Sequence, residues 1–339
     1  MYPTTKSLFQ FTLFAFALLS ITIFSACDDD DLLLPETYDG TKHIYGTIAD
    51  FSNDNQGVSE VIIDPQTGAF STLEGTESGL IIAFPSGTKN LFDFARNRRV
   101  YWDVLEFRLV IQDLETLEKT AINVSDPANS VALLNPQFVT FGANNDVVYI
   151  YDTTGDLWAI DLITETPELL YSRLDFGELY VDNQLYLAST NQLVYGAHPD
   201  IVNRYVSSAI YTLDLATGEL QNLGDIEETF GWAKDPQDER IYGLRLATDE
   251  TGFRLVELEL TGSEASTRLL SQEDLAISSL SAHTQTIHTA TNTYICRGGS
   301  TREGMNENNI YSIDLSSGEL IRTVSIGNKD QLILNIDGE

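Results

Sequence analysis

Hydrophobic residues in this chain fall into short runs rich in β-branched and aromatic side chains, each closed by Asp, Thr, Asn or Gly. That pattern predicts strands and tight turns rather than helices. One segment, Ile210-Tyr211-Thr212-Leu213-Asp214-Leu215-Ala216-Thr217-Gly218-Glu219-Leu220, returns nearly intact as Ile310-Tyr311-Ser312-Ile313-Asp314-Leu315-Ser316-Ser317-Gly318-Glu319-Leu320. Weaker copies run from Val61 to Gly68, Leu109 to Leu114 and Leu157 to Leu162, and a degenerate one from Leu255 to Leu260. The equivalent positions Asp64, Asp113, Asp161, Asp214, Glu259 and Asp314 lie 49, 48, 53, 45 and 55 residues apart, which is 250 residues over five intervals, or 50 per repeat.

Within each repeat Asp can bond the backbone two residues on, and Gly supplies the positive φ of a tight turn. Between two strand-like runs this predicts a β-hairpin. Upstream lies a further strand pair, whose second member we assign to Val100–Asp103, Val147–Tyr151, Gln184–Ala188, Arg240–Leu246 and Thr293–Cys296. Four strands per fifty residues match one blade of a propeller. Runs such as Ile241-Tyr242-Gly243-Leu244 and Val147-Val148-Tyr149-Ile150 are apolar on both faces, as a blade sandwiched between neighbours requires. The first hairpin has one strand before it, from His43 to Ala49, and the last is followed by a lone strand, Leu332 to Ile336. The expectation is an all-β, six-bladed β-propeller over residues 43–339, with the C-terminal strand completing blade one. The pattern resembles the YVTN and quinoprotein-like propellers of bacterial envelope proteins, a resemblance that implies architecture and no activity.

The amino terminus follows another pattern. Lys6 precedes an uncharged stretch from Leu8 to Ala26 dominated by Leu, Phe, Ile and Ala, which reads as a signal peptide over residues 1–26. Phe24-Ser25-Ala26-Cys27 resembles the lipobox of bacterial lipoproteins, with Phe24 in place of the more usual Leu. The resemblance implies cleavage after Ala26 and lipidation of Cys27. Residues 27–42 then form a tether, and its Asp28-Asp29-Asp30-Asp31 run looks like the surface-export signal of Bacteroidota lipoproteins. The expected location is the cell envelope, lipid-anchored in the outer membrane and surface-exposed.

Charge narrows the partners. Fifty-one acidic against nineteen basic residues give a formal charge of −32. Phosphate-backbone binding needs clustered Lys and Arg, so nucleic acid is excluded. With Cys27 taken by the anchor, Cys296 has no disulfide partner and reads as a small buried hydrophobe. Trp102, Trp158 and Trp232 sit in strand patterns and read as core.

Candidate chemistry is sparse. The four histidines form no metal-ligand spacing; His283 and His288 flank a predicted turn at Thr284-Gln285-Thr286. No nucleophile elbow, phosphate loop or dinucleotide fingerprint occurs. No cofactor is expected; Asn53-Asp54-Asn55-Gln56-Gly57 is a weak calcium candidate that lacks the EF-hand order. Asn123-Val124-Ser125 has the form of a glycosylation acceptor and carries no meaning in a bacterial lipoprotein. Arg96, Arg98 and Arg99 form one basic cluster, read as ion-paired with carboxylates. Connections between second and third strands look long at Asp50–Ser59, Gly196–Ala209 and Arg297–Asn309 and short in blades two, three and five. The long set carries the candidate ligand-binding residues His198, Asp200, Asn203, Arg204, Tyr205, Arg297, Arg302, Glu303, Asn306 and Asn308. Two functions follow: a binding or scaffold module for a glycan, peptide or protein partner, or a lyase or hydrolase at the central funnel. The predicted inner strands offer mostly Leu, Phe, Thr and Asn, which favours binding.

Overall fold

A computed structural model describes residues 39–50, 57–73, 90–103, 106–126, 131–133, 135–177, 179–199, 208–247, 252–277, 280, 284–298, 309–327 and 331–338. The signal segment, Cys27, the acidic run and positions 53–56 of the calcium candidate lie outside the described residues. No helix among the described residues is long and apolar enough to cross a membrane.

Six four-stranded antiparallel sheets form the ring of a six-bladed β-propeller. From the axis outward, blade two is Leu91–Asp93, Arg98–Asp103, Arg108–Asp113 and Lys119–Ile122; blade three is Pro136–Phe141, Val147–Asp152, Leu157–Asp161 and Thr166–Tyr171. Blade four is Tyr180–Leu187, Gln192–His198, Ser208–Asp214 and Leu220–Ile226; blade five is Thr229–Lys234, Ile241–Leu246, Phe253–Thr261 and Glu264–Leu269. Blade six is Gln285–His288, Thr293–Gly298, Asn309–Asp314 and Leu320–Ser325. Blade one is composite: Gln331–Asp337 is innermost and pairs antiparallel with Ile44–Asp50, followed by Gly57–Ile63 and Phe70–Thr72. A small hairpin, Ser125–Asp126 with Val131–Ala132, lies between blades two and three.

The Asp-centred hairpins form as the sequence predicts. Asp161 Oδ1 accepts from the backbone N–H of Ile163 and Thr164, both at 2.8 Å, and Asp113, Asp214 and Asp314 repeat the arrangement. These N–H groups, Thr164 foremost, hold the exposed Asp161 carboxyl below its ordinary value. Gly318 turns with φ +70°, and a Cβ there would sit 2.4 Å from the backbone of Leu270 and Ser271 in the preceding blade. Leu117 and Glu165 take left-handed conformations in the hairpins of blades two and three without that freedom.

Three assignments change. Gln184–Leu187 belongs to the innermost strand of blade four, with Ala188 in the turn that follows; the second strand is Gln192–His198. Both runs have strand propensity, and the turn between them centres on Asn191 at φ +53° rather than on Gly. Glu259 lies inside a strand, opposite Ser266, because the blade-five hairpin turns two residues later than its relatives. Gln285–His288 is a strand, so the turn expected at Thr284–Thr286 is absent; His288 is fully buried, and His283 lies outside the described residues.

Each junction between blades has its own apolar cluster. Blades two and three share Val100, Trp102, Leu109, Val148, Ile150 and Trp158; blades six and one share Ile295, Ile310, Ile44, Ile63, Ile333 and Ile336. The junction of blades one and two differs. Its apolar part is small, with Tyr45 stacked on Phe92 at 4.4 Å beside Ile62. The rest is a buried polar network: Arg99 pairs with Glu60, Arg99 Nε donates to Gln112 (2.8 Å), and Thr47 and Asn90 donate to Glu60 at 2.8 and 3.1 Å. Burial pushes the Glu60 carboxyl up, and Arg99, Thr47 and Asn90 pull it back.

Deleting Gln331–Glu339 should strip blade one of its inner strand and expose Ile44, Ile48 and Ile295. The expected result, read by thermal melting and limited proteolysis, is an aggregating or protease-sensitive chain, since a domain's net stability is only about 5–15 kcal/mol. A truncated chain melting within a few degrees of the full chain would refute closure by the tail.

A double-mutant cycle tests the seam. Arg99→Met alone should cost about 3–5 kcal/mol in denaturant unfolding by stranding Glu60. Adding Glu60→Leu should recover most of it, whereas additive losses would mean that the pair is not coupled.

Candidate functional site

In a blade of four antiparallel strands, the first-to-second and third-to-fourth turns share one face, and the second-to-third connections and blade crossings share the other. The six innermost strands converge on a central cavity of about 390 Å³. Its mouth is formed by residues at or just past the ends of those strands: Phe94 and Ala95 of blade two, Phe141 and Gly142 of blade three, Pro236 of blade five and Gly338 of blade one. The cavity therefore opens on the turn face, opposite the long connections.

Deeper in the lining stand Gln184 of blade four and Gln285 of blade six, 8% and 4% exposed. Trp232 lies between them on blade five, its Nε1 donating to the Thr229 carbonyl (3.0 Å). Gly231, at φ +62°, makes this possible, since a Cβ there would lie 2.7 Å from the Gln285 side chain. Bulges bend four of the six inner strands: Gln137, Asp182 and Leu334 are extra residues in their ladders, and Gly231 and Trp232 together oppose Gly243. Such bulges re-aim side chains beside functional sites.

Side chains tie neighbouring blades together around the inner strands. Gln137 donates to the Val181 carbonyl (2.9 Å), Lys234 to the Tyr186 carbonyl (2.9 Å), Tyr294 to the Gly231 carbonyl and Asn335 to the Asn90 carbonyl (3.1 Å). The charged lining residues are Lys234 and Asp337. Burial lowers the Lys234 ammonium, while Glu239 at 3.7 Å opposes the shift; Asp337 accepts from the Phe92 N–H (3.4 Å).

Of the ten loop residues singled out from sequence, His198 and Arg297 are described; Asp200, Asn203, Arg204, Tyr205, Arg302, Glu303, Asn306 and Asn308 lie outside the described residues. His198 and Arg297 are strand residues, 4% and 5% exposed, at the roots of those connections. His198 Nε2 is 3.7 Å from Asp182 Oδ2, and burial lowers the Arg297 guanidinium to about 10. The connection in blade one spans residues 51–56, no longer than residues 247–252 in blade five, so two connections stand out instead of three. Arg96 and Arg98 pair with Asp93 at 2.8 and 2.9 Å, and Arg96 also with Asp146. The basic cluster is an ion-paired turn.

The sequence reading met Gln184, Trp232 and Gln285 without assigning them a site. The expectations of a second-strand Gln184 and a turn at Gln285 fail, whereas Trp232 is core as expected, packed with Leu187, Val194 and Ile241 between blades four and five, and it also lines the cavity. The usable signal was the count of four strands per blade, which makes the first strand of every repeat a channel wall.

Cys296 is fully buried between blades five and six, and burial alone pushes its thiol far up. Iodoacetamide should leave it unmodified in the native protein and alkylate it after denaturation, as mass spectrometry would show. Rapid labelling of the native chain would contradict this packing.

No known family profile matches the chain, and no curated protein matches it by sequence. Among solved structures, TolB from Acinetobacter baumannii is similar with a TM-score of 0.60 at 11% identity, over 88% of this chain and 67% of that one. A chain in the crystal structure of a nidogen/laminin complex is similar with a TM-score of 0.56 at 12% identity, over 87% of this chain and 97% of that one. At such identities the likeness shows the shared fold alone.

Proposed function

We propose that this protein is an envelope-anchored binding module whose propeller receives a glycan or peptide in its central cavity. The observation that carries the reading is the lining itself: amide and aromatic side chains drawn from separate blades, with bulged strands aiming them inward. A few polar groups set in an apolar, preformed wall are what small-ligand recognition uses. The charged lining residues, Lys234 and Asp337, are each engaged with protein groups, which favours binding over acid–base catalysis. Lipidation at Cys27 supplies the anchor in this proposal, with residues 27–42 as tether and the propeller on the outer surface. Each buried methylene adds about 0.8 kcal/mol, so several acyl chains would hold it permanently.

Three measurements on the full chain test the reading. Wild type and Thr140→Trp, which fills the cavity beside Phe141, are compared on glycan and peptide arrays. The wild type should retain ligands that the folded variant loses, and equal binding by both would refute the cavity as the site. Labelled palmitate should enter the wild type and not Cys27→Ala, and external protease should degrade the protein on intact cells. Labelling of the variant would remove the anchor.

A further inference from the structure

The cavity holds one group whose hydrogen bonding is incomplete. Gln184 Nε2 donates to the Tyr149 carbonyl at 3.4 Å, and Oε1 is buried with no hydrogen-bond partner. The carbonyl of Tyr149 fixes which end of the amide is nitrogen, because turning it over would set two acceptors against each other. An acceptor left unpaired in the interior is destabilising, and a donor that reaches it removes that cost. The bond to Tyr149 is long and the terminal torsion of a glutamine is soft, so the amide can rotate to offer Oε1 to a ligand donor.

From this geometry we infer that the cavity binds a neutral sugar residue, with Gln184 Oε1 accepting from one of its hydroxyl groups; the inference rests on the binding reading above. The missing partner must be a donor, which a carboxylate or phosphate oxygen is not. The mouth asks for something else: Phe94, Phe141 and Pro236 present carbon surface. A pyranose meets both demands, with hydroxyls around its edge and C–H bonds on its faces. Lys234 and Asp337 leave the lining without net charge, and a chain charge of −32 repels anionic ligands from a distance. A cavity of about 390 Å³ lies within the usual range for small-ligand sites.

The test is calorimetric titration of the full chain with D-glucose, D-galactose, D-mannose, N-acetyl-D-glucosamine and D-galacturonate, each also as a tetrasaccharide. At least one neutral sugar should bind, with D-galacturonate at least about tenfold weaker. Binding of the free monosaccharide would identify a soluble sugar as ligand; binding of the tetrasaccharide alone would identify a glycan end, and either supports the inference. Gln184→Leu should weaken binding about tenfold or more while melting as the wild type does. Thr140→Trp, which leaves Gln184 intact, should abolish it and guards against a folding defect in the first variant. No binding by any neutral sugar, tighter binding of the uronate, or unchanged binding by a folded Gln184→Leu protein would overturn the inference. A peptide captured on the arrays and lost with Thr140→Trp, with no sugar bound, would leave the binding module standing and remove the sugar.

Discussion

Every blade carries apolar side chains on both faces, so none is satisfied until it has two neighbours, and the structure depends on that requirement. A linear stack of such sheets would leave two hydrophobic faces in water; a ring leaves none. The antiparallel pairing of Gln331–Asp337 with Ile44–Asp50 makes the ring, because it joins the two ends of the propeller inside a single sheet. The closing strand then works in two directions. Ile333 and Ile336 pack in the cluster shared with blade six, while Asn335 and Asp337 reach the backbone of Asn90 and Phe92 toward blade two. The junction with blade two is also where Glu60 and Arg99 are buried. A buried pair of this kind adds little net stability against an apolar alternative, but it is intolerant of a wrong partner. Placed beside the one blade assembled from both chain ends, it discriminates the correct docking from apolar faces that would fit one another loosely.

Closure also creates the site. Once six inner strands face one axis, their inward side chains have no opposing sheet to pack against, and the axis can be polar without burying unpaired groups elsewhere. The ties from Gln137, Lys234 and Asn335 to neighbouring backbone use that freedom to bind one inner strand to the next, and Tyr294 adds a tie from the second strand of blade six to the inner strand of blade five. They hold the wall to one geometry, which a recognition site requires of its support. Gln184 takes part in the same way through Nε2, and its Oε1, like Asn335 Oδ1, keeps no partner; of the two residues Gln184 lines the cavity.

The outer half of each blade was legible in the sequence because its turn chemistry is local. Asp bonding the next N–H groups, followed by Thr and Gly, is written in consecutive residues and repeats every fifty. The inner half was less so. Leu91–Asp93 and Gln285–His288 are too short to show a period, and polar residues toward the axis break what alternation they have. The turns after the inner strands rest on left-handed Asn97, Asn145, Asn191 and Asn292, and the backbone carbonyls of Asn97, Asn191 and Asn292 accept from Leu114, Leu215 and Leu315 just past the Asp of the hairpin. That second repeat was present in the sequence as an Asn shortly before the second strand of blades two, three, four and six, and counting it would have placed Gln184 correctly. The cavity itself had no local signature, since its residues come singly from blades about fifty positions apart.

The two ends of the axis have different chemistry, and the sequence reading looked toward the end with the longer connections. There the described roots are polar and buried: His198 beside Asp182, and Arg297, whose guanidinium remains charged at neutral pH even with its value lowered to about 10. Groups held this far from water are positioned by the scaffold and are not displayed to a passing partner. At the opposite end the half-buried Phe94 and Phe141 stand over amides, with a lysine and an aspartate offsetting one another. A ligand entering there would exchange water for carbon surface first and complete a hydrogen bond second. Desolvation at the mouth then makes the deeper bond count for more, since an acceptor is worth most where water cannot compete for it.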